Sequence, residues 1–191
     1  MPTQDRTLVI GIGNPLMLDE GVGVRVMEEL HQHYTFDDMT DLIDAGTMGL
    51  GMITIFRGLG FLLIIDAING TGYPAGTVVR VSPEDFAPNQ VMHSLHDIRF
   101  VDVLQAAQLI GIEVEAECVG IQIENMSPSE LTIGLTEAVE QAIPRAMAAA
   151  LTLLDERSIP FEVIEPETAE DRELIDAVND AYEEMKDKRR S

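Results

Sequence analysis

The sequence predicts an α/β fold, with a single doubly wound and mostly parallel twisted sheet of about five strands and helices on both faces. Two observations lead to this prediction. Short apolar runs alternate with stretches whose apolar residues recur at helical spacing, as in repeated strand–helix units. Each apolar run is also nearly continuous, which is typical of parallel strands that are buried on both faces.

The first strand–helix unit spans residues 7–34. A strand over 7–12 runs into the glycine-rich turn 11–15, and a helix is expected over 21–34 because Val22, Val26 and Leu30 have helical spacing. The elements that we expect after it are a strand at 41–44, a helical stretch at 48–57, a strand at 61–66, a loop at 67–76, a strand at 76–81, a loop at 82–94, a helix at 96–110, a strand at 113–121 and a long alanine-rich helix at 135–154.

The chain is strongly acidic. Among 191 residues, 34 Asp and Glu outnumber 12 Lys and Arg, which leaves a net charge of −22. This charge argues against a nucleic acid or an anionic membrane surface as a partner, because phosphate groups would be repelled. The ordinary interpretation of such acidity is solubility, and a cationic macromolecular partner is the alternative.

Cysteine content and hydropathy indicate the cellular compartment in which the protein is expected to lie. The only cysteine, Cys118, excludes an internal disulfide and any CxxC metal or redox site, and it suits a reducing compartment. Its expected role is that of a small core residue in a strand. The first residues lack a secretory signal pattern, and no apolar stretch approaches the roughly 18 residues that span a bilayer. We therefore expect a cytoplasmic protein.

The composition changes at residue 155. Residues 155–191 hold 13 acidic and 6 basic residues and few large apolar ones. An amphipathic helix over 172–188 is one prediction for this tail, because Leu174, Ile175 and Val178 have helical spacing, and a disordered tail is the other.

Acidic side chains follow the predicted strands at the edge where doubly wound sheets carry their sites. Glu20 follows the first strand, Asp66 ends the third, and His96 begins a predicted helix. Two carboxylates and one imidazole make a plausible open site for a divalent transition ion, and a cation would offset the cost of burying the carboxylates.

Each of these residues also has an ordinary structural interpretation. Asp19 or Glu20 could favour the N-terminus of the following helix through its dipole. Asp66 could cap a turn, and His96 could be a surface residue at the start of a helix.

A dinucleotide-binding turn is the competing interpretation of the first loop. Gly11 and Gly13 open the G-x-G-x-x-G pattern, but Leu16 stands where the third glycine should be. Asp19 and Glu20 would also face a pyrophosphate with negative charge. A nucleotide-handling α/β enzyme is therefore a weaker alternative.

Several segments together resemble a known family. Residues 8–24 (LVIGIGNPLMLDEGVGV) resemble the opening of the nickel–iron hydrogenase maturation endopeptidases. The segments DAGT at 44–47, IIDA at 64–67, SLH at 94–96 with DVL at 102–104, GIQ at 120–122 and IGLT at 133–136 are similar to later family motifs. Ala45 and Leu95 depart from the family's usual glycine and proline, and His93 competes with His96 for the histidine position.

The resemblance covers about residues 7–154. It implies an α/β maturation-protease domain over 1–154, followed by the acidic tail 155–191. It further implies a metal-dependent, aspartyl-type endopeptidase that removes the C-terminal extension of a nickel-loaded hydrogenase large-subunit precursor.

The site residues also follow from the resemblance. Glu20, Asp66 and His96 would contact the metal and carry catalysis. The residues expected to orient these ligands or to approach the substrate peptide are Asp19, Asp44, Gly46 and Thr47. The ion would be nickel supplied by the precursor, or another divalent transition metal in its place. A non-catalytic partner that binds the metal-bearing precursor is the remaining alternative, and we expect a monomer in either case.

Overall fold

The computed structural model describes residues 6–46, 48–82, 100–124 and 131–190. The strands are β1 (Arg6–Ile12), β2 (Tyr34–Phe36), β3 (Thr40–Gly46), β4 (Leu59–Ile68), β5 (Val78–Val81), β6 (Glu115–Gln122) and β7 (Phe161–Val163). The α-helices are α1 (Val22–His33), α2 (Phe100–Leu109), α3 (Glu137–Glu140), α4 (Ile143–Asp155) and α5 (Ala169–Arg190). Two 3-10 helices cover Leu18–Gly21 and Gly49–Phe56.

Five strands form the main sheet, in the order β3-β1-β4-β6-β5. The first four are parallel, and β5 pairs antiparallel with β6. The order reverses at β1, since the chain moves to β3 on one side and then to β4 on the other. This arrangement confirms the predicted fold class.

Two apolar cores lie on opposite faces of the sheet. Val9 and Leu63 pack on the face covered by α1 and α4. Their chain neighbours Leu8 and Leu62 pack on the other face, against the second 3-10 helix and α2. Successive side chains of a strand point to opposite faces, so a strand covered on both sides must be apolar throughout.

Several predicted elements differ in detail from the observed ones. The helical stretch expected at 48–57 is a 3-10 helix, and the long helix expected at 135–154 is divided into α3 and α4. Pro144 lies in the first turn of α4, where a residue without an N–H is tolerated and where it favours a new helix start. Most of the loop expected at 82–94 lies outside the described residues.

The acidic tail folds back on the domain. In its first part, β7 pairs antiparallel with β2, and Tyr34 lies edge-on to Phe161 with ring centroids 6.1 Å apart. Further on, α5 packs against α4 and buries Val178 and Ile175. Of the two alternatives for residues 172–188, the structure has the helix. In the described part of the chain, no helix is long and apolar enough to cross a membrane.

Candidate active site

The turn that carries Glu20 is pressed against the carboxyl ends of the central strands. Gly13 has φ +148°, and a Cβ atom at this position would lie 2.1 Å from the carbonyl oxygen of Glu20. A Cβ on Gly23 would lie 2.3 Å from the carbonyl oxygens of both Ile12 and Ile65. Only glycine permits these close approaches. Gly13 therefore lets the Glu20 backbone approach the end of β1, and Gly23 lets the first turn of α1 approach β1 and β4.

Asp66 lies on β4 beside this turn. In the β1–β4 pairing Gly11 is opposite Ile65, so Asp66 is level with the last residue of β1. The 3-10 helix that carries Glu20 contacts β4. Asp66 and Glu20 are both buried, with exposed fractions of 3% and 8%. The structure thus brings two buried carboxyl groups to the carboxyl ends of adjacent central strands.

The structure changes the expected position of Asp66 within its strand. We expected Asp66 to be the last residue, but β4 continues to Ile68, because β6 extends alongside it and Asp66 pairs with Gly120. Asp66 is therefore not the cap of a turn. Asp19 and Glu20 directly precede the N-cap of α1, which is Gly21 and has no side-chain hydrogen bond.

Burial shifts the pKa of one of these two carboxyl groups. Removal from water raises the pKa of the Glu20 carboxyl above its ordinary value, since the charged form is poorly solvated there. A carboxyl whose pKa is raised in this way is a candidate functional group. Burial and the neighbouring Asp66 raise the pKa of the Cys118 thiol, which therefore stays protonated. Cys118 is a core residue rather than a nucleophile.

Asp19 is fully buried and links two segments that are distant in the chain. Its Oδ1 accepts a hydrogen bond of 2.7 Å from the backbone N–H of Thr136, and its Oδ2 accepts one of 3.0 Å from the Thr136 hydroxyl. Charge-assisted bonds of this kind are among the stronger ones in proteins. This Asp19–Thr136 clasp holds the start of α3 against the Glu20 turn.

The same two segments also pair through their backbones. Thr132 donates its N–H to the carbonyl of Leu16 at 2.8 Å and accepts the N–H of Leu18 at 2.7 Å. Leu18 adopts φ +55°, a left-handed conformation that is unusual for a branched residue. Strained residues of this kind often lie beside functional groups, and here the strained residue directly precedes Asp19 and Glu20. Sequence reasoning assigned no role to Thr132 or Thr136, because no local pattern marks contacts over more than 100 residues.

Asp44 lies at the same edge, near the end of β3, where it pairs with Gly11. Its exposed side chain accepts a 2.7 Å hydrogen bond from the N–H of Gly46, which has φ +44°. The carbonyl of Gly46 in turn accepts a 3.1 Å hydrogen bond from the N–H of Gly13. The β3 end is thereby joined to the turn that carries Glu20.

Three predicted residues fall outside the described part of the chain. These are Thr47, His96 and its competitor His93. Within residues 6–46, 48–82, 100–124 and 131–190, no group of three or more His, Cys, Asp or Glu side chains is arranged to hold a metal ion. The predicted trio therefore stays a prediction, of which the structure describes the two carboxyl members.

Fold and site together define an α/β protein with an acidic site at the carboxyl edge of its sheet, where doubly wound enzymes hold their reacting groups. The chain belongs to the hydrogenase maturation proteases, because a model of that family, HycI, matches residues 24–153. The resemblance deduced from the sequence is thus confirmed, and membership assigns the chain to the proteases that process hydrogenase precursors.

Individual relatives agree with this assignment. The hydrogenase 2 maturation protease of Escherichia coli K12 is 34% identical over 166 residues, which cover 83% of this chain and 98% of the relative. The solved structure of the hydrogenase maturating endopeptidase HybD from E. coli superposes with a TM-score of 0.70 at 32% identity, covering 83% of this chain and 97% of that one. A maturation protease HybD from Thermococcus kodakarensis, at 23% identity and a TM-score of 0.64, shares the fold over 78% of this chain and 98% of its own.

Proposed function

We propose that this chain is the endopeptidase that removes the C-terminal extension from a nickel-loaded hydrogenase large-subunit precursor. The observation that carries the proposal is the pair of buried carboxyl groups, Glu20 and Asp66, at the carboxyl ends of β1 and β4 in a chain of this protease family. Its single, buried and unbonded cysteine is consistent with action in the cytoplasm.

The nickel in this proposal belongs to the substrate. A cation that arrives between two buried carboxylates offsets part of the cost of burying their charge. Carboxylate and imidazole are acceptable nickel ligands, and His96 is the proposed third one. Three protein ligands leave coordination positions for the precursor's own ligands. Cleavage would then depend on prior loading of the metal.

A cleavage assay tests the proposal. The protein is incubated with nickel-loaded and nickel-free precursor, and the masses of the products are measured. We expect the loss of a short C-terminal peptide from the loaded form alone. Equal cleavage of both forms would overturn the dependence on nickel, and binding without a change in mass would overturn the peptidase activity on this substrate.

Matched variants assign the activity to the site. Asp66→Asn keeps the shape of the side chain but removes its charge, and we expect loss of cleavage from a folded protein. Asp41→Asn is the control, because Asp41 lies near the other end of the sheet on β3, in an exposed ion pair with Arg6 that contributes little to stability. Wild-type turnover by Asp66→Asn would remove Asp66 from the site.

A further inference from the structure

The segment 131–133 lies in an extended conformation beside the turn that carries Glu20. Met17 and Thr132 form a parallel β-bridge, with one hydrogen bond on each side of it. Both hydrogen bonds use backbone groups of Thr132, so this residue directs its N–H and C=O toward residues 16–18. The segment is thus a short strand added to the edge of the candidate active site.

The other edge of this segment is oriented for pairing. In an extended chain, the backbone groups of successive residues point to opposite sides. Since Thr132 faces residues 16–18, the N–H and C=O groups of Leu131 and Ile133 face away from them. An extended peptide that lay along this side could form main-chain hydrogen bonds there, as in β-strand addition.

The side chains of the segment are apolar and exposed. Leu131 and Ile133 have exposed fractions of 74% and 81%, and the adjacent Leu16 is 48% exposed. Grouped apolar side chains at the surface often mark a contact site. In an extended strand the side chains of residues two apart share a face, so those of Leu131 and Ile133 point the same way and that of Thr132, between them, points the opposite way.

The charges at this end of the sheet favour one kind of occupant. Glu20 follows the residues that Thr132 pairs with, and Asp44 and Glu124 also lie at or just beyond the carboxyl ends of sheet strands. An acidic peptide would be repelled there, whereas an uncharged or basic one would not. The suitable occupant is an extended peptide with apolar side chains at alternate positions and no acidic residue between them.

We infer that residues 131–133 form a docking strand for the precursor. The precursor segment beside the cleaved bond pairs with the outer edge of this strand and covers Leu131 and Ile133. Residues 16–18 lie along the inner edge and continue into the 3-10 helix with Glu20, so a peptide bound in this way is held about two strand spacings, or roughly 10 Å, from that turn. The inference rests on the proposed function and adds to it a binding surface for the substrate.

Kinetics on the precursor tests the side-chain contacts. We expect the double variant Leu131→Ala with Ile133→Ala to raise KM about tenfold and to leave kcat nearly unchanged, because it removes contacts that precede chemistry. The control is Leu109→Ala with Ile110→Ala, an equally exposed pair at 88% and 62%. Leu109 ends α2 and Ile110 follows it, before β6 begins, so both lie toward the amino ends of the strands, at the opposite end of the sheet.

Peptide binding tests the backbone pairing without relying on a protein variant. A synthetic peptide of the precursor's cleavage segment is compared with peptides that are N-methylated at alternate residues. Methylation in one register removes the donors that face the docking strand, and we expect it to weaken binding at least tenfold more than methylation in the other register. Thermal unfolding of each protein variant confirms that it remains folded.

The outcomes separate this inference from the proposed function. If the wild-type chain cleaves the precursor but the alanine pair and both methylated peptides behave like their controls, the docking strand is wrong and the proposed function stands. If the wild-type chain neither binds nor cleaves the precursor, the proposed function fails and the docking strand fails with it. Raised KM together with register-dependent binding supports the inference.

Discussion

The Asp19–Thr136 clasp provides the most direct test of how the site is held together. Thr136→Val replaces the hydroxyl with a methyl group of similar size and leaves the backbone N–H in place. The variant therefore removes one of the two hydrogen bonds to Asp19 and retains the other. It leaves the oxygen Oδ2 of a fully buried carboxylate without that donor.

The expected loss follows from the charge and burial of the acceptor. A hydrogen bond to a charged group contributes about 1.5–3 kcal/mol. In a protein of this size, each 1 kcal/mol shifts the unfolding temperature by about 2–4 °C, so Thr136→Val is expected to lower it by about 3–12 °C. Asp19→Ala removes both bonds and leaves a backbone N–H without its acceptor, which is expected to cost about 3–6 kcal/mol.

Calorimetry measures these shifts, with Thr54→Val as the control. The Thr54 hydroxyl is exposed and donates a 3.0 Å hydrogen bond to the carbonyl of Gly51, a neutral acceptor, so its loss is expected to cost no more than about 1 kcal/mol. Equal unfolding temperatures for Thr136→Val and Thr54→Val would refute the reasoning. The combination of Thr136→Val with Asp19→Ala should be no less stable than Asp19→Ala alone, because both changes remove the same bond.

Three further predictions concern stability. Glu20→Gln is expected to raise the unfolding temperature at pH 7. Burial raises the pKa of the Glu20 carboxyl, so its charge is unfavourable in the folded state, and the gain should disappear as the pH falls to the ordinary pKa of 4.5. Unfolding scans across pH 4–8 test this. Gly13→Ala is expected to lower stability and to abolish cleavage. Gly58 is also at positive φ but faces open space, so Gly58→Ala is expected to cost only backbone strain of about 1–3 kcal/mol. Denaturant unfolding and the cleavage assay compare the two variants. Val178→Ala costs about 2 kcal/mol in denaturant unfolding because Val178 is fully buried where α5 packs against α4, whereas Val163→Ala, at a half-exposed position, costs clearly less.

The sheet could be predicted from the sequence because burial on both faces leaves a pattern that does not depend on distant contacts. The run around Leu62 and Leu63 is apolar on both faces of β4, and this alone indicates a central parallel strand. The small sheet of β2 and β7 has no such pattern. Each strand has three residues, and the partners Tyr34 and Val163 are 129 positions apart, so only the folded chain shows their pairing.

The positions of the candidate site residues were predictable to a similar extent. Glu20 and Asp66 could be selected because an acidic residue next to an apolar strand is conspicuous, and the structure places both at the carboxyl ends of adjacent strands. Their part in catalysis stays a prediction. The clasp could not be found, since Asp19 is adjacent to Glu20 in sequence but pairs with Thr136 through the tertiary fold. The two neighbouring acids are buried in different surroundings. Asp19 accepts two hydrogen bonds from Thr136, whereas desolvation is the main cause of the raised pKa of Glu20.

The first loop illustrates why a glycine pattern must be read with its surroundings. In a dinucleotide-binding turn, glycines leave room for a pyrophosphate, and open backbone N–H groups bind it. Here the space at Gly13 is taken by the carbonyl of Glu20, and the Gly13 N–H already donates to Gly46. The absence of a side chain therefore serves to bring an acidic turn onto the strand ends rather than to admit an anion. A phosphate would meet a filled turn and two buried acids at this position.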